Sequence, residues 1–74
     1  MNTESRVINL LQVELQETTL NNESSIENTI GWDSQFQLVV ILIIEDEFNI
    51  MIPNARLNEL TSIQNIVKLI ETLG

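Results

Sequence analysis

The chain has 74 residues, eleven of them acidic and three basic, for a formal net charge of −8, with neither cysteine nor histidine. That excludes disulfides, thiolate chemistry, the commonest zinc ligand and the usual general base. Its charge opposes contact with nucleic-acid phosphates, and its size, near the lower limit for a self-sufficient core, allows one small domain over 1–74.

The N-terminus Met1-Asn2-Thr3-Glu4 lacks a basic start followed by an apolar block, so the expectation is a cytoplasmic protein. Val7, Ile8, Leu10, Leu11 and Leu15 then recur at helical spacing with polar residues between them. The spacing predicts an amphipathic helix over Thr3 to Gln16, with Thr3 as its cap.

Glu17 to Trp32 is a long connection rich in Thr, Asn and Ser. Leu20, Ile26 and Ile30 are its apolar anchors. Connections of this length are uncommon in compact domains and are often functional. Ser24-Ser25-Ile26-Glu27 has capping-box spacing and predicts one short turn.

The segment Ser34 to Phe48 carries the β-branched run Leu38-Val39-Val40-Ile41-Leu42-Ile43-Ile44, and propensity alone favours a strand. Length, the Asp33 cap and the lack of a turn signal before Asn49 favour a helix. No second strand candidate exists to pair with the run, and a lone strand leaves its backbone polar groups unsatisfied. At seven residues the run is also far short of the ~20 needed to span a bilayer.

Asn49 to Pro53 reads as a linker and Asn54 to Leu60 as a short helix. Thr61-Ser62-Ile63-Gln64 matches a capping box, ahead of Ile63, Ile66, Val67, Ile70 and Leu73 on a last helix over Ser62 to Leu73. The expected fold is all-α, a small antiparallel bundle of three longer helices and one short one, with the long loop between the first and second helices.

Gly31-Trp32-Asp33-Ser34 puts a hydroxyl at the mouth of the second helix behind a capping carboxylate. Free N–H groups and the positive end of the dipole favour a phosphate there. Read alone, the tetrapeptide favours Asp33 as a plain cap and Ser34 as a first-turn residue, because both types are preferred at helix starts. A Ser-Asp catalytic dyad is disfavoured, because helical neighbours do not face each other and no base stands by. Trp32 either covers the helix mouth by packing on Phe36, or forms a wall for a group attached there or an anchor for a partner.

The second helix is apolar nearly all round, and a bundle this small leaves part of it outside. Leu38, Ile41 and Leu42 read as core. Phe36, Val39, Val40 and Ile43 read as docking candidates. Glu45-Asp46-Glu47 sits at the end of the helix where the dipole disfavours negative charge, with nothing nearby in sequence to offset it. A basic partner surface, a divalent cation or simple solvation would each account for it; an EF-hand is excluded by the missing ligand spacing and central glycine.

Taken together, these elements resemble the acyl carrier protein family over essentially the whole chain. Gly31, Asp33 and Ser34 match the family's attachment motif, with Gln35 where the family has Leu. Glu45-Asp46-Glu47-Phe48, then Ile50, Ile52 and Pro53, resemble its acidic-Phe and Ile-Pro signature. Leu60-Thr61-Ser62-Ile63 resembles the start of its last helix, and Glu4, Arg6 and Val7 its first.

The resemblance implies a carrier and not an enzyme. It implies a 4′-phosphopantetheine arm, moved from coenzyme A onto Ser34 by a phosphopantetheinyl transferase, with Asp33 recognised by that transferase. It implies acyl cargo held as a thioester in fatty-acid-like or specialised metabolism. Partners would be acyl-loading and acyl-using enzymes with basic or apolar surfaces, docking on Gln35, Val39, Val40, Ile43, Glu45, Asp46 and Glu47 of a monomer. No metal, nucleic acid or stable membrane insertion is expected. An aminoacyl or peptidyl carrier, and an unmodified helical adaptor, are the alternatives.

Overall fold

Three α-helices and one 3-10 helix follow in chain order in the computed structural model, which describes residues 2–16 and 19–73: α1 (Thr3–Leu15), α2 (Ser34–Phe48), the 3-10 helix Asn54–Glu59 and α3 (Ile63–Leu73). No strand occurs among the described residues. The order and the long α1–α2 loop are those expected from the sequence.

Helix α1 is capped one residue earlier than expected. Asn2 and not Thr3 is the N-cap, its Oδ1 accepting the Ser5 N–H at 2.8 Å. Asparagine serves this position better than threonine. At the other end Gln16 adopts the left-handed conformation and its N–H closes on the Gln12 and Val13 carbonyls. Val7 and Leu11 are fully buried, and the helix packs chiefly against α3.

The β-branched run of α2 is helical. Asp33 caps it, accepting the Phe36 N–H at 2.9 Å, and left-handed Asn49 ends it. Asparagine tolerates that conformation at a helix C-terminus. Which side faces the core differs from the sequence expectation. Val40 and Ile44 are fully buried, with Phe36, Ile41, Ile43 and Phe48 packed against the core from its margins. Leu38 and Leu42, read as core, are 65% and 67% exposed. Val40, read as a docking residue, presents no surface. The reason is angular: at 3.6 residues per turn, Leu38 and Leu42 lie about 160° around the axis from Val40. Once the row Phe36, Val40, Ile44, Phe48 is inside, those two leucines must be outside.

Helix α3 supplies the largest share of the core through Ile63, Ile66, Leu69 and Ile70. Its cap is Ser62, whose Oγ accepts the Asn65 N–H at 3.1 Å. The box expected on Thr61 and Gln64 is shifted by one residue because Thr61 has another task. Its carbonyl accepts the Ile26 N–H at 2.9 Å, while the Ile63 N–H donates to the Ser24 carbonyl at 3.0 Å. This isolated antiparallel bridge between Ser25 and Ser62 ties the middle of the long loop to the start of α3.

The loop keeps two of its three expected anchors. Leu20 is buried and Ile26 packs against the core. A short turn does form over Ser25–Asn28, with the Asn28 N–H on the Ser25 carbonyl. Ile30 is the exception, 94% exposed. The Trp32 N–H closes a turn on the Thr29 carbonyl, which places Ile30 at its tip.

Candidate functional site

Ser34 is the first residue of α2 and is exposed. The N–H of Gln37 starts the helical ladder on the Asp33 carbonyl at 2.9 Å, and the Asp33 carboxylate takes the Phe36 N–H. By helix geometry the N–H groups of Ser34 and Gln35 then have no helical acceptor. No hydrogen bond to the Ser34 hydroxyl is formed among the described residues. The arrangement is an open hydroxyl beside two free N–H donors at the positive end of a 15-residue helix.

The approach to Ser34 is tightly fixed. Gly31 has φ +91°, a conformation that favours glycine, and a Cβ there would meet Leu15 Cδ2 of α1 at 3.2 Å. Trp32 is only 2% exposed, so it packs in the helix mouth and is not an exposed anchor for a partner. Its ring meets Phe36 edge-on, with centroids 6.2 Å apart and planes at 80°. Its Nε1 donates to Gln37 Oε1 at 2.8 Å, and Gln37 Nε2 donates to the Leu60 carbonyl. Sequence reasoning assigned Gln37 no role. A lone glutamine five residues after a tryptophan carries no signal without the distant carbonyl it reaches.

The other candidate positions divide. Gln35 is exposed beside Ser34, Val39 is half-buried and Ile43 is half-buried with its side chain packed on the core. The outward surface of α2 runs instead from Ser34 and Gln35 through Leu38 and Leu42 to Asp46. Helical steps of four place Ser34, Leu38, Leu42 and Asp46 in one row. Phe36, Val40, Ile44 and Phe48 form the opposite row, and that row faces the core.

The acidic end of α2 has the local partners that the sequence did not reveal. Glu45 Oε2 accepts the Ile52 N–H at 2.9 Å and so anchors the linker after the helix. Glu47 Oε2 accepts from Arg6 Nη2 at 3.1 Å. Asp46 alone of the three is without a partner among the described residues. No group of three acidic side chains among those residues is placed to hold a metal ion. A cleft of about 430 Å³ lies within the long loop, lined by Leu20, Ser24, Asn28 and Ile30 among others, and Ser34 is not part of it.

No family model matches the chain. Over 68 residues it is 35% identical to a protein of Campylobacter concisus (strain 13826) named acyl carrier protein, an alignment covering 92% of this chain and 86% of that protein. No helix among the described residues is long and apolar enough to cross a membrane.

Proposed function

The chain belongs to the acyl carrier protein family, and from that premise we propose that Ser34 carries a 4′-phosphopantetheine arm and that the protein delivers acyl groups to partner enzymes. The observation that supports this is the exposed Ser34 hydroxyl at the first position of α2, behind the Asp33 cap.

The residues present fit such a group. A phosphodiester on Ser34 would lie against the free N–H groups of Ser34 and Gln35 at the helix's positive end. No side chain among the described residues ties up the hydroxyl. In the loading step the Ser34 Oγ–P bond forms and a P–O bond of the coenzyme A pyrophosphate breaks. Adenosine 3′,5′-bisphosphate leaves, and the hydroxyl proton passes to a base on the transferase. Asp33 orients the first turn and offers the transferase a carboxylate. The bound arm supplies the terminal thiol on which acyl cargo is held as a thioester. Bond-making groups come from the partners, since this chain has neither His nor Cys and a single Lys, Lys68 on α3.

Partner docking is proposed on the outward row of α2, with Leu38 and Leu42 in place of Val40. Between Asp33 and Glu45 this helix has no charged residue. Glu45 and Glu47 are engaged within the fold, so an apolar partner surface complements the row better than a basic one. Leu38 and Leu42 stand about 6 and 12 Å along the axis from Ser34, so a partner seated there receives the arm without rearrangement.

Incubation with coenzyme A and a broad-specificity phosphopantetheinyl transferase, read by intact mass, tests the attachment. One arm should be added to the wild type and none to Ser34→Ala. Modification that persists in Ser34→Ala would place the site elsewhere. Equal partner function by apo and loaded protein would make the chain an adaptor.

A further inference from the structure

Ser34 stands inside a ring that two side chains close around it. Trp32, two residues before, donates its indole N–H to Gln37, three residues after, at 2.8 Å. The same carboxamide turns its N–H to the Leu60 carbonyl, at the junction between the 3-10 helix and α3. We propose that Gln37 is a positioning residue for Ser34: it clasps the Gly31–Asp33 approach to the first turn of α2, and holds both to that junction. The inference rests on the attachment reading above.

Three features support it. First, a carboxamide of this length can accept from an indole and donate to a carbonyl at once, which neither a carboxylate nor an alkyl chain can do. Second, the bonds are in sheltered surroundings, with Trp32 and Leu60 buried. A buried donor or acceptor left unpaired is costly, so the clasp is strongly favoured once packed. Third, the Asp33 cap cannot do this work. It fixes the first turn relative to Asp33 and reaches no other element. Beside the packing of Phe36 on the core, the clasp adds a directed link from the serine-bearing turn to the Leu60 junction. A transferase that must bring Ser34 Oγ in line with a phosphorus depends on such placement, since a 1 Å error can cost on the order of 10²-fold in rate.

The test compares Gln37→Leu, Gln37→Glu, Trp32→Phe and the double variant Gln37→Leu/Trp32→Phe with wild type. The first readout needs no enzyme. Trp32 is the only tryptophan, so its emission and its quenching by acrylamide report the clasp directly. The second is kcat/KM for arm addition by a phosphopantetheinyl transferase, followed by intact mass well below each variant's melting temperature. Gln37→Leu should shift Trp32 emission and lower kcat/KM roughly tenfold. Gln37→Glu keeps the indole acceptor but sets a carboxylate against the Leu60 carbonyl, and should also lower kcat/KM. The double variant should be no worse than the more severe single one, as expected of residues acting through one bond. Leu11→Ala in α1 destabilises the fold without touching the clasp and should keep its kcat/KM.

A Gln37→Leu protein with shifted emission and wild-type kcat/KM would overturn the proposal, as would an equal loss in Leu11→Ala. Should Gln37→Leu fail to fold, Gln37→Glu and Trp32→Phe decide by the same criterion. Wild-type protein that takes no arm on Ser34 overturns the attachment reading itself. Wild type and Gln37→Leu loading equally fast overturns the clasp alone.

Discussion

The Arg6 guanidinium of α1 sits 4.3 Å from the centroid of the Phe48 ring at the end of α2, while its Nη2 donates to the adjacent Glu47 at 3.1 Å. One side chain thus supplies the counter-charge at an acidic helix end and a cation–π contact between two helices. Both groups of the ion pair are about two-fifths exposed, so the pair itself contributes little. With the stacking included, Arg6→Ala should cost roughly 1 kcal/mol. In a domain of this size that is a drop of about 4–8 °C in Tm. Arg6→Lys should recover only part of it, because an ammonium does not stack as a planar guanidinium does. Thermal melts at low and high salt measure both, and an Arg6→Ala melt superimposable on wild type would show the contact to be energetically silent.

The two faces of α2 predict opposite phenotypes. Leu38→Glu and Leu42→Glu place a charge where solvent already reaches, so stability should change by no more than about 0.5 kcal/mol. Binding to an acyl-handling partner, or loading by the transferase, should nevertheless weaken. Val40→Glu puts an unpaired charge in the core and should unfold the domain. Denaturant titration beside a partner-binding assay separates the cases. A Leu42→Glu protein that is stable and binds normally would move the interface off this row.

Gly31→Ala should destabilise the fold and slow loading of Ser34. An alanine held at φ +91° carries backbone strain of order 1–3 kcal/mol. Its Cβ would also press on the end of Leu15, a flexible tip that can yield. The larger part of the loss should therefore be conformational, and Leu15→Ala in the same background should restore little of it. Denaturation midpoints of the single and double variants give the answer; full rescue by Leu15→Ala would make the problem steric instead.

Glu59 in the 3-10 helix accepts two bonds from Arg56, at 2.9 and 3.0 Å. The hydrogen bonding to Arg56 holds its carboxyl below the usual glutamate range. Its contribution to stability is thus present above the unfolded-state pKa, and is lost as the pH falls through the lower folded value. Both side chains lie at the surface, 36% and 46% exposed, so the effect is small. In a carbon-detected NMR titration Glu59 should titrate below an ordinary glutamate, and Arg56→Gln should return it upward. An unchanged midpoint in Arg56→Gln would assign the shift to another cause.

Much of the fold was legible in local chemistry. The span of α2, capped by Asp33 and stopped at Asn49, follows from residues adjacent in the chain. So does the Gly31-Trp32-Asp33-Ser34 mouth, because caps and turns are made by neighbours. Helix starts drifted by one residue where a better cap stood next door, at Asn2, or where a carbonyl was claimed from afar, at Thr61. The helix-over-strand decision for Leu38–Ile44 was also available, since it required only that no other segment could pair with the run.

The side of α2 that is covered was not available in the same way. A helix apolar on every face has no preferred inside until α1 and α3 close on it. Their packing buried Val40 and Ile44 and left Leu38 and Leu42 in water. The same holds for every feature made by residues far apart in the chain: Arg6 on Glu47, Ser25 beside Ser62, and Gln37 reaching Leu60 while it holds Trp32. Periodicity and capping act within about a turn of the chain and so can be read along it. Burial and long-range hydrogen bonds depend on which surfaces meet, and only the assembled bundle decides that.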